Sequence, residues 1–445
     1  MHASALIRGP VTGGSHGWAF GAAAFNLEQC GYVEEEYFVT GSATRYDHAS
    51  GTGRSFDGRW SATRTTSAPY AVRILVRRPK EPTAFNGTVV LMWNNVSIGY
   101  EIFTGETDAL YRHGFVFVGA GVQHIGIHSY PEGEPRGLIA WDPVRYGDLS
   151  VPDDGLSFDI YTQIARLVGP ARSGAVDPLG GLPVERVLGF GVSQSATYLA
   201  TYLNAIQPIE RALDGFLLDV YFGNGAVLNP GDRPRALARP ELIAAAVPLM
   251  PPGSHLLRDD LGVPVFVLNS ETEATLHYPV RQPDSPSYRF WEVAGVAHGS
   301  DRVSNVMPTT WPRDLGISGH PLAPEGPNNM LTLDGVRAAA LVAMQRWLGD
   351  GVPPRSMPRI EFAGDPPVIV RDEYGIARGG IRLPDVAVPR ATHTGVAVDG
   401  SLALFGSSVP FSEAQLHALY PDEETYRRRW AAAKRAAIEA GVLLS

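Results

Sequence analysis

The sequence predicts an α/β fold: a mostly parallel central sheet with helices on both faces, extended by β-rich N-terminal and C-terminal parts. Three observations carry this. Short, almost wholly apolar runs recur at 87–93, 114–120 and 187–190, and strands of that kind are buried on both faces, as in parallel sheets. Helical patterns stand between them, the alternation that βαβ units require. The run 187–190 then passes through Gly191 and Ser193 straight into a helical pattern, which marks a sharp strand-to-helix joint.

Taken in order, residues 1–85 read as β-rich, with alternating patterns at Glu34–Thr40 and Tyr70–Arg77 bounded by Gly, Ser and Asp. The core, 86–350, opens with the strand Gly87–Trp93, a helical segment around Glu106–His113 and the strand Gly114–Ala120. A long loop to about Pro152 and a helix to about Leu167 precede the joint. The strands Asp214–Tyr221, Val263–Asn269 and Tyr288–Ala294 follow, then an amphipathic helix Leu333–Leu348. The extension 351–445 is extended and Pro-rich and closes with a helix Glu423–Ala440, opened by Asp422 and stopped by Gly441. With no linker to cut, 1–445 is expected to be one domain.

Composition narrows the function. A chain 44% hydrophobic and 19% charged is globular, and its formal charge of −9, with no basic run, argues against nucleic acid or an anionic membrane as partner. The single cysteine, Cys30, allows no internal disulfide and no Cys-rich zinc site, and is expected to be a small buried residue. Residues 1–20 lack the basic-then-apolar pattern of a secretory leader, and no apolar run reaches membrane-spanning length. The expectation is a cytoplasmic protein acting on a small molecule. Nothing in the sequence speaks to oligomeric state.

Chemistry concentrates at Gly191-Val192-Ser193-Gln194-Ser195. A serine hydroxyl is a poor nucleophile until a base takes its proton, so it must stand exposed where a histidine can reach it. A tight turn between strand and helix does that, and aims the following N–H and the helix N-terminus at a developing oxyanion. The form is that of a nucleophile elbow, with Ser195 where the pattern Gly-x-Ser-x-Gly has its last glycine. The competing reading of the joint alone is a helix-capping serine.

The rest of the chain supplies partners. His298 follows the strand 288–294 through Gly295-Val296-Ala297 and is the candidate base, although it is one of twelve histidines. Two carboxylates, Glu271 and Glu273, follow the strand 263–269 and are both candidates to orient it; Ser270, a small residue at the strand's end, favours Glu273. Asp219 is a weaker third candidate. Oxyanion donors are expected at the N–H of Gln194 and in the loop after 87–93, at Asn95 or Val96. Trp93, Tyr100, Trp141, Tyr221, His124 and His128 are candidates for the pocket wall, with core packing the competing reading for the aromatics. His124 and His128 have the i, i+4 spacing of a metal pair, but no acidic partner matches, so no metal and no cofactor are expected. The stretch Gly375–Gly380 lacks a phosphate-loop lysine and reads as a turn.

The chain resembles the alpha/beta-hydrolase domain family of bacterial carboxylesterase-like proteins over nearly its whole length. The resemblance is carried by Cys30–Ala43, Phe85-Asn86-Gly87-Thr88-Val89-Val90, Trp93-Asn94-Asn95-Val96-Ser97, Asn269-Ser270-Glu271-Thr272-Glu273, Arg281-Gln282-Pro283-Asp284, Phe290–His298 and Gly379–Asp385. It implies an α/β-hydrolase fold and esterase chemistry, with Ser193, His298 and a glutamate of the 271/273 pair in the matching places. Asn94-Asn95 and Ser195 depart from the family's pattern, and both touch the oxyanion region.

The expectation is therefore a serine hydrolase of a carboxylic ester or a lactone. An acyltransferase on the same triad, and a non-catalytic binding protein on the same scaffold, are the competing readings. A histidine base predicts activity that rises as the imidazole loses its proton.

Overall fold

The computed structural model describes residues 5–23, 26–131, 133–230, 254–300, 307–317, 323–398 and 404–445. The apolar runs are the inner strands of a sheet with nine strands among the described residues. They are β1 (Leu6–Arg8), β2 (Tyr32–His48), β3 (Ala62–Pro79), β4 (Thr88–Trp93), β5 (Val116–Ala120), β6 (Arg186–Val192), β7 (Gly215–Asp219), β8 (Val265–Ser270) and β9 (Tyr288–Val293). Their order is β1-β2-β3-β5-β4-β6-β7-β8-β9. From β5 to β9 every pairing is parallel, while β1, β2 and β3 join at one edge as antiparallel strands.

Alternation along the strands divides the core in two. Val89, Leu91, Val187, Leu218 and Val267 face the helices Ser157–Leu167 and Gln194–Thr201. Val90, Met92, Leu188, Leu217 and Phe266 face the helix Asp334–Asp350. The same period puts Arg73 and Arg77 of β3 inside, because each is answered there. Arg73 pairs with Glu36 at 2.9 Å and Glu101 at 2.7 Å, and Arg77 with Glu34 at 2.6 Å and with Glu106. Both also donate to backbone carbonyls of Phe20 and Gly21, tying the N-terminal segment down.

Three expectations are corrected. Cys30 is exposed, because it ends a short turn, Leu27–Cys30, of which only Leu27 is buried. The segment around His124 is a helix, His124–His128, where a loop was expected. Gly126 suggested a break, but a Cβ there would stand 2.9 Å from Glu101 and 3.0 Å from Val96, so this glycine serves close packing. The N-terminal strands run far beyond their alternating cores, to 17 and 18 residues, as a long hairpin.

The C-terminal segments lie against β9. Residue 381 bridges Val293 in parallel, with Ile381 N–H donating to Glu292 O at 2.7 Å and Ala294 N–H to Ile381 O at 3.0 Å. Of Gly375–Gly380, expected as a turn, only Gly375 closes one, its N–H donating to Asp372 O at 3.0 Å, while Ala377 and Gly379 form bridges to Arg371 and Ile360. Among the described residues, no helix is long and apolar enough to cross a membrane. The register aligns the carboxyl ends of β6, β7, β8 and β9, pairing Val192 with Asp219, Asp219 with Leu268 and Ser270 with Val293. Ligands of parallel α/β sheets bind along that edge.

Candidate active site

Ser193 follows β6 directly, at φ 58° and ψ −119°. A non-glycine residue there costs about 1–3 kcal/mol and persists only where its surroundings hold it. The holding contacts are specific. Ser193 N–H donates to Asp219 O at 2.9 Å. The Ser195 hydroxyl accepts from Val192 N–H at 2.9 Å and donates to Val192 O at 3.0 Å. Gly191 lets the helix come close, since a Cβ there would lie 2.8 Å from Ser195 O and 2.9 Å from Ala196 Cα. Ser195, the departure from the usual glycine, is thus a brace for the turn.

The two glutamates after β8 separate cleanly. Ser270 and Glu273 form a capping box on the helix Glu271–His277. Glu273 Oε2 accepts from Ser270 N–H at 2.9 Å and from the Ser270 hydroxyl at 2.5 Å. Its Oε1 faces His298 Nδ1 at 2.6 Å. A carboxylate accepts only, so Nδ1 carries the hydrogen and Nε2 keeps its lone pair. His298 is held on two further sides: its N–H donates to Thr272 Oγ1 at 3.0 Å, and the half-buried Phe222 stacks on its ring at 5.3 Å and 18°. Glu271 faces elsewhere, accepting from Gly295 N–H at 2.7 Å and from Arg371 at 2.9 Å. Asp219 is fully buried and paired with Arg337; burial raises its pKa against that cation's pull.

Of the two residues expected as second oxyanion donor, Asn95 is already committed. Its N–H donates to Ile102 O at 3.3 Å, its Nδ2 to Val192 O at 3.0 Å, and its Oδ1 accepts from Ser97 N–H at 2.8 Å. It anchors the loop to the elbow. Val96 N–H makes one long contact, 3.3 Å to Gln194 Oε1. The Gln194 N–H lies in the first turn of its helix, where no intrahelical acceptor exists. The Gln194 side chain continues inward: Nε2 donates to Gln123 Oε1 at 3.1 Å, and Gln123 Nε2 donates to Asp154 Oδ2 at 3.2 Å.

The expected pocket residues are mostly core. Trp93 is fully buried among Phe158, Tyr161 and Tyr198, at centroid distances of 5.6, 4.6 and 5.3 Å. Tyr221 is buried too, with its N–H and C=O both bound by the Asn269 side chain, at 2.8 and 3.0 Å. Tyr100 is likewise buried, and Trp141 stacks on His16 at 3.9 Å. His124 and His128 stack on each other at 4.5 Å and grip one residue: His124 Nδ1 lies 2.6 Å from Val151 O, and His128 Nε2 accepts from Val151 N–H at 3.2 Å. Burial and His124 bring the His128 pKa down to about 4. These rings are occupied in holding a loop. Among the described residues no three His, Cys, Asp or Glu side chains gather as metal ligands.

Three residues of this region carry no signal in the sequence. Phe222 reaches His298 because β7 ends in a second strained turn, Val220 at φ 46°, beside Ser193. Gln123 comes from the loop after β5 and Asp154 from the single helical turn Asp154–Leu156 before the helix Ser157–Leu167, both distant in sequence from the elbow.

A search of curated proteins finds no match to the chain. Among solved structures the chain is similar to esterase Est22, with 11% identity and a TM-score of 0.30 over 61% of this chain and 76% of that one. It is also similar to brefeldin A esterase, a bacterial homologue of human hormone sensitive lipase, with 12% identity and a TM-score of 0.25 over 52% and 60%. XC6422 from Xanthomonas campestris, a serine hydrolase without lid, gives 11% identity and a TM-score of 0.27 over 50% and 78%. Likenesses this distant have no bearing on activity. The sequence model of the alpha/beta hydrolase domain family, by contrast, matches residues 7–445, and the chain belongs to that family.

Proposed function

We propose that this protein hydrolyses carboxylic esters, lactones included, through an acyl-enzyme on Ser193. The observation that carries the reading is the 2.6 Å contact between Glu273, in the helix after β8, and His298, in the loop after the adjacent β9, at the edge where Ser193 is held in its strained turn. Family membership supports it.

In this reading His298 Nε2 takes the Ser193 proton as Oγ attacks the ester carbonyl carbon. Glu273 holds the imidazole in the required tautomer and stabilises the imidazolium. The N–H groups of Gln194 and Val96 receive the oxyanion. Collapse of the tetrahedral intermediate breaks the bond to the alkoxy oxygen, which leaves with the proton from His298. Water, deprotonated by the same imidazole, then releases the acid and restores Ser193. Glu271 is assigned a supporting role, holding Gly295 and Arg371.

The test is hydrolysis of p-nitrophenyl esters of increasing acyl length by wild type and Ser193→Ala, with intact-mass analysis after a fluorophosphonate. Ser193→Ala should lose on the order of 10⁵–10⁶-fold in kcat, and wild type should gain one adduct, on Ser193. Full turnover by Ser193→Ala overturns the assignment. An adduct without turnover would mean a competent nucleophile and the wrong esters; neither would return the protein to the binding-protein reading.

A further inference from the structure

The carboxamide of Gln194 ends a buried chain of hydrogen bonds whose polarity is set at both ends. Asp154, almost fully buried, accepts from His124 N–H at 2.7 Å, Tyr198 OH at 2.9 Å and Gln123 Nε2 at 3.2 Å. A carboxylate held by three donors accepts only, so Gln123 must turn its NH₂ toward it. The Trp93 indole N–H, a donor only, faces the other end of the same amide, at 3.1 Å from Gln123 Oε1. With Gln123 Oε1 fixed, Gln194 presents Nε2 to it at 3.1 Å and is left with Oε1 facing Val96 N–H at 3.3 Å. Neither glutamine can flip without setting donor against donor or acceptor against acceptor.

The far end of the chain is a loop. Asn95 ties the loop to the elbow, and the Val96 side chain is buried with Ile125, but the Val96 amide itself is held by Gln194. A contact of 3.3 Å is weak enough to surrender to a charged oxygen.

We propose that Gln123 is a positioning residue for the oxyanion hole. Anchored on Asp154 and Trp93, it orients the Gln194 carboxamide so that Gln194 holds Val96 N–H over the nucleophile until the substrate's carbonyl oxygen takes that N–H over. The proposal rests on the ester-hydrolase reading above and names the residues that keep its second donor in place.

A double-mutant cycle on the full chain tests it, with Gln123→Met and Gln194→Met, which keep side-chain length and remove the amides. Each single variant should lose on the order of 10-fold in kcat with KM within about 2-fold, short of the roughly 100-fold that follows loss of a donor or a 1 Å misplacement. The double variant should lose no more than either single one, since both cut the same chain. Affinity for a trifluoromethyl ketone, which forms an oxyanion on Ser193, should fall in step with kcat/KM, while affinity for the product acid stays put. A merely structural role would move thermal stability and leave that divergence absent.

Multiplicative losses in the double variant overturn the proposal. So does a gain in kcat or ketone affinity in Gln194→Met, which would mean that the carboxamide obstructs the hole. If Gln123→Met does not fold, Gln194→Met alone decides, because it sits on a half-exposed first turn: wild-type kcat and ketone affinity there overturn the proposal. Fluorophosphonate labelling of wild-type Ser193 separates the two levels. Without it the ester-hydrolase reading falls and this one with it; with it, only the cycle decides.

Discussion

Glu271 and Glu273 stand two residues apart, are equally buried, and make different contacts. Glu273→Gln keeps the shape of the capping box but replaces the carboxylate beside His298 Nδ1, so kcat should fall on the order of 10³–10⁴-fold with little change in melting temperature. Glu271→Ala leaves Arg371 and Gly295 N–H without their acceptor, and should cost about 1–3 kcal/mol in a urea titration. Equal kinetic losses in the two variants would contradict the assignment. The sequence offered this pair as candidate acids because both follow a buried strand, and Ser270, a small residue at the strand's end, favoured Glu273, the one that lies against His298. It could not separate them firmly, because the choice depends on which carboxylate the loop 295–298 approaches. Asn95 was legible as part of the loop after β4 but not as its anchor. Its bond to Ile102 is local, but its bond to Val192 spans 97 residues of sequence.

At the scale of elements, the strands were legible because burial on both faces removes polar residues from them, and the carboxyl edge followed from their order in the chain. The extension 351–445 was less so, since its short paired segments have no run long enough to show a period. Its contacts were hidden in the sequence: it packs against the helix carrying Glu273 and the loop carrying His298. Arg371 reaches Glu271 at 2.9 Å, Thr272 Oγ1 donates to Gly395 O at 2.7 Å, and Gly299 N–H donates to Leu404 O at 2.7 Å. Gly395 lies so close that a Cβ would stand 2.5 Å from Thr272 N and 2.7 Å from the Glu271 carbonyl carbon. Those are backbone atoms, which cannot swing aside. Gly395→Ala should therefore push the helix Glu271–His277 off its position and lower kcat about 10- to 100-fold, far from any substrate contact. Ester turnover matched against melting temperature checks this. An unchanged kcat would mean that the loops hold themselves.

Across the whole molecule, burial sets an acid sensitivity that one substitution can isolate. His277 is buried beside Tyr221 and Phe290, its Nδ1 has no hydrogen-bond partner among the described residues, and burial, with Arg281 and Arg359 adding to it, brings its pKa from 6.5 down to about 3. Unfolding then takes up a proton at any pH between those values, so this group's stabilisation is complete above pH 6.5 and is lost as pH falls toward 3. His277→Leu should flatten the dependence of unfolding free energy on pH by about 1.4 kcal/mol per unit between pH 6 and 4, relative to wild type. Parallel slopes would place the imidazole in contact with water.

The two ends of the chain bear on how that unfolding proceeds. Ala19 and Ala22 near the start, and Ala437 and Val442 near the end, share one apolar cluster with the inner strands and with the helix Asp334–Asp350. β1 pairs with β2, which pairs with β3 over nearly its whole length, and Arg73 and Arg77 of β3 each lose one of two carboxylates if Glu36 and Glu34 detach, and a backbone acceptor if Phe20 and Gly21 do. At the other edge, Ile381 extends the sheet beside β9. Neither end can leave without exposing apolar surface and stranding buried charge, so neither has a stable state of its own. Urea unfolding of the full chain should give a single transition, with far-ultraviolet circular dichroism, tryptophan fluorescence and ester turnover falling together. Loss of turnover at a lower urea concentration than loss of helix would reveal the extension 351–445 as a separately stable unit, and would transfer the support of Glu273 and His298 from the fold as a whole to a docking equilibrium.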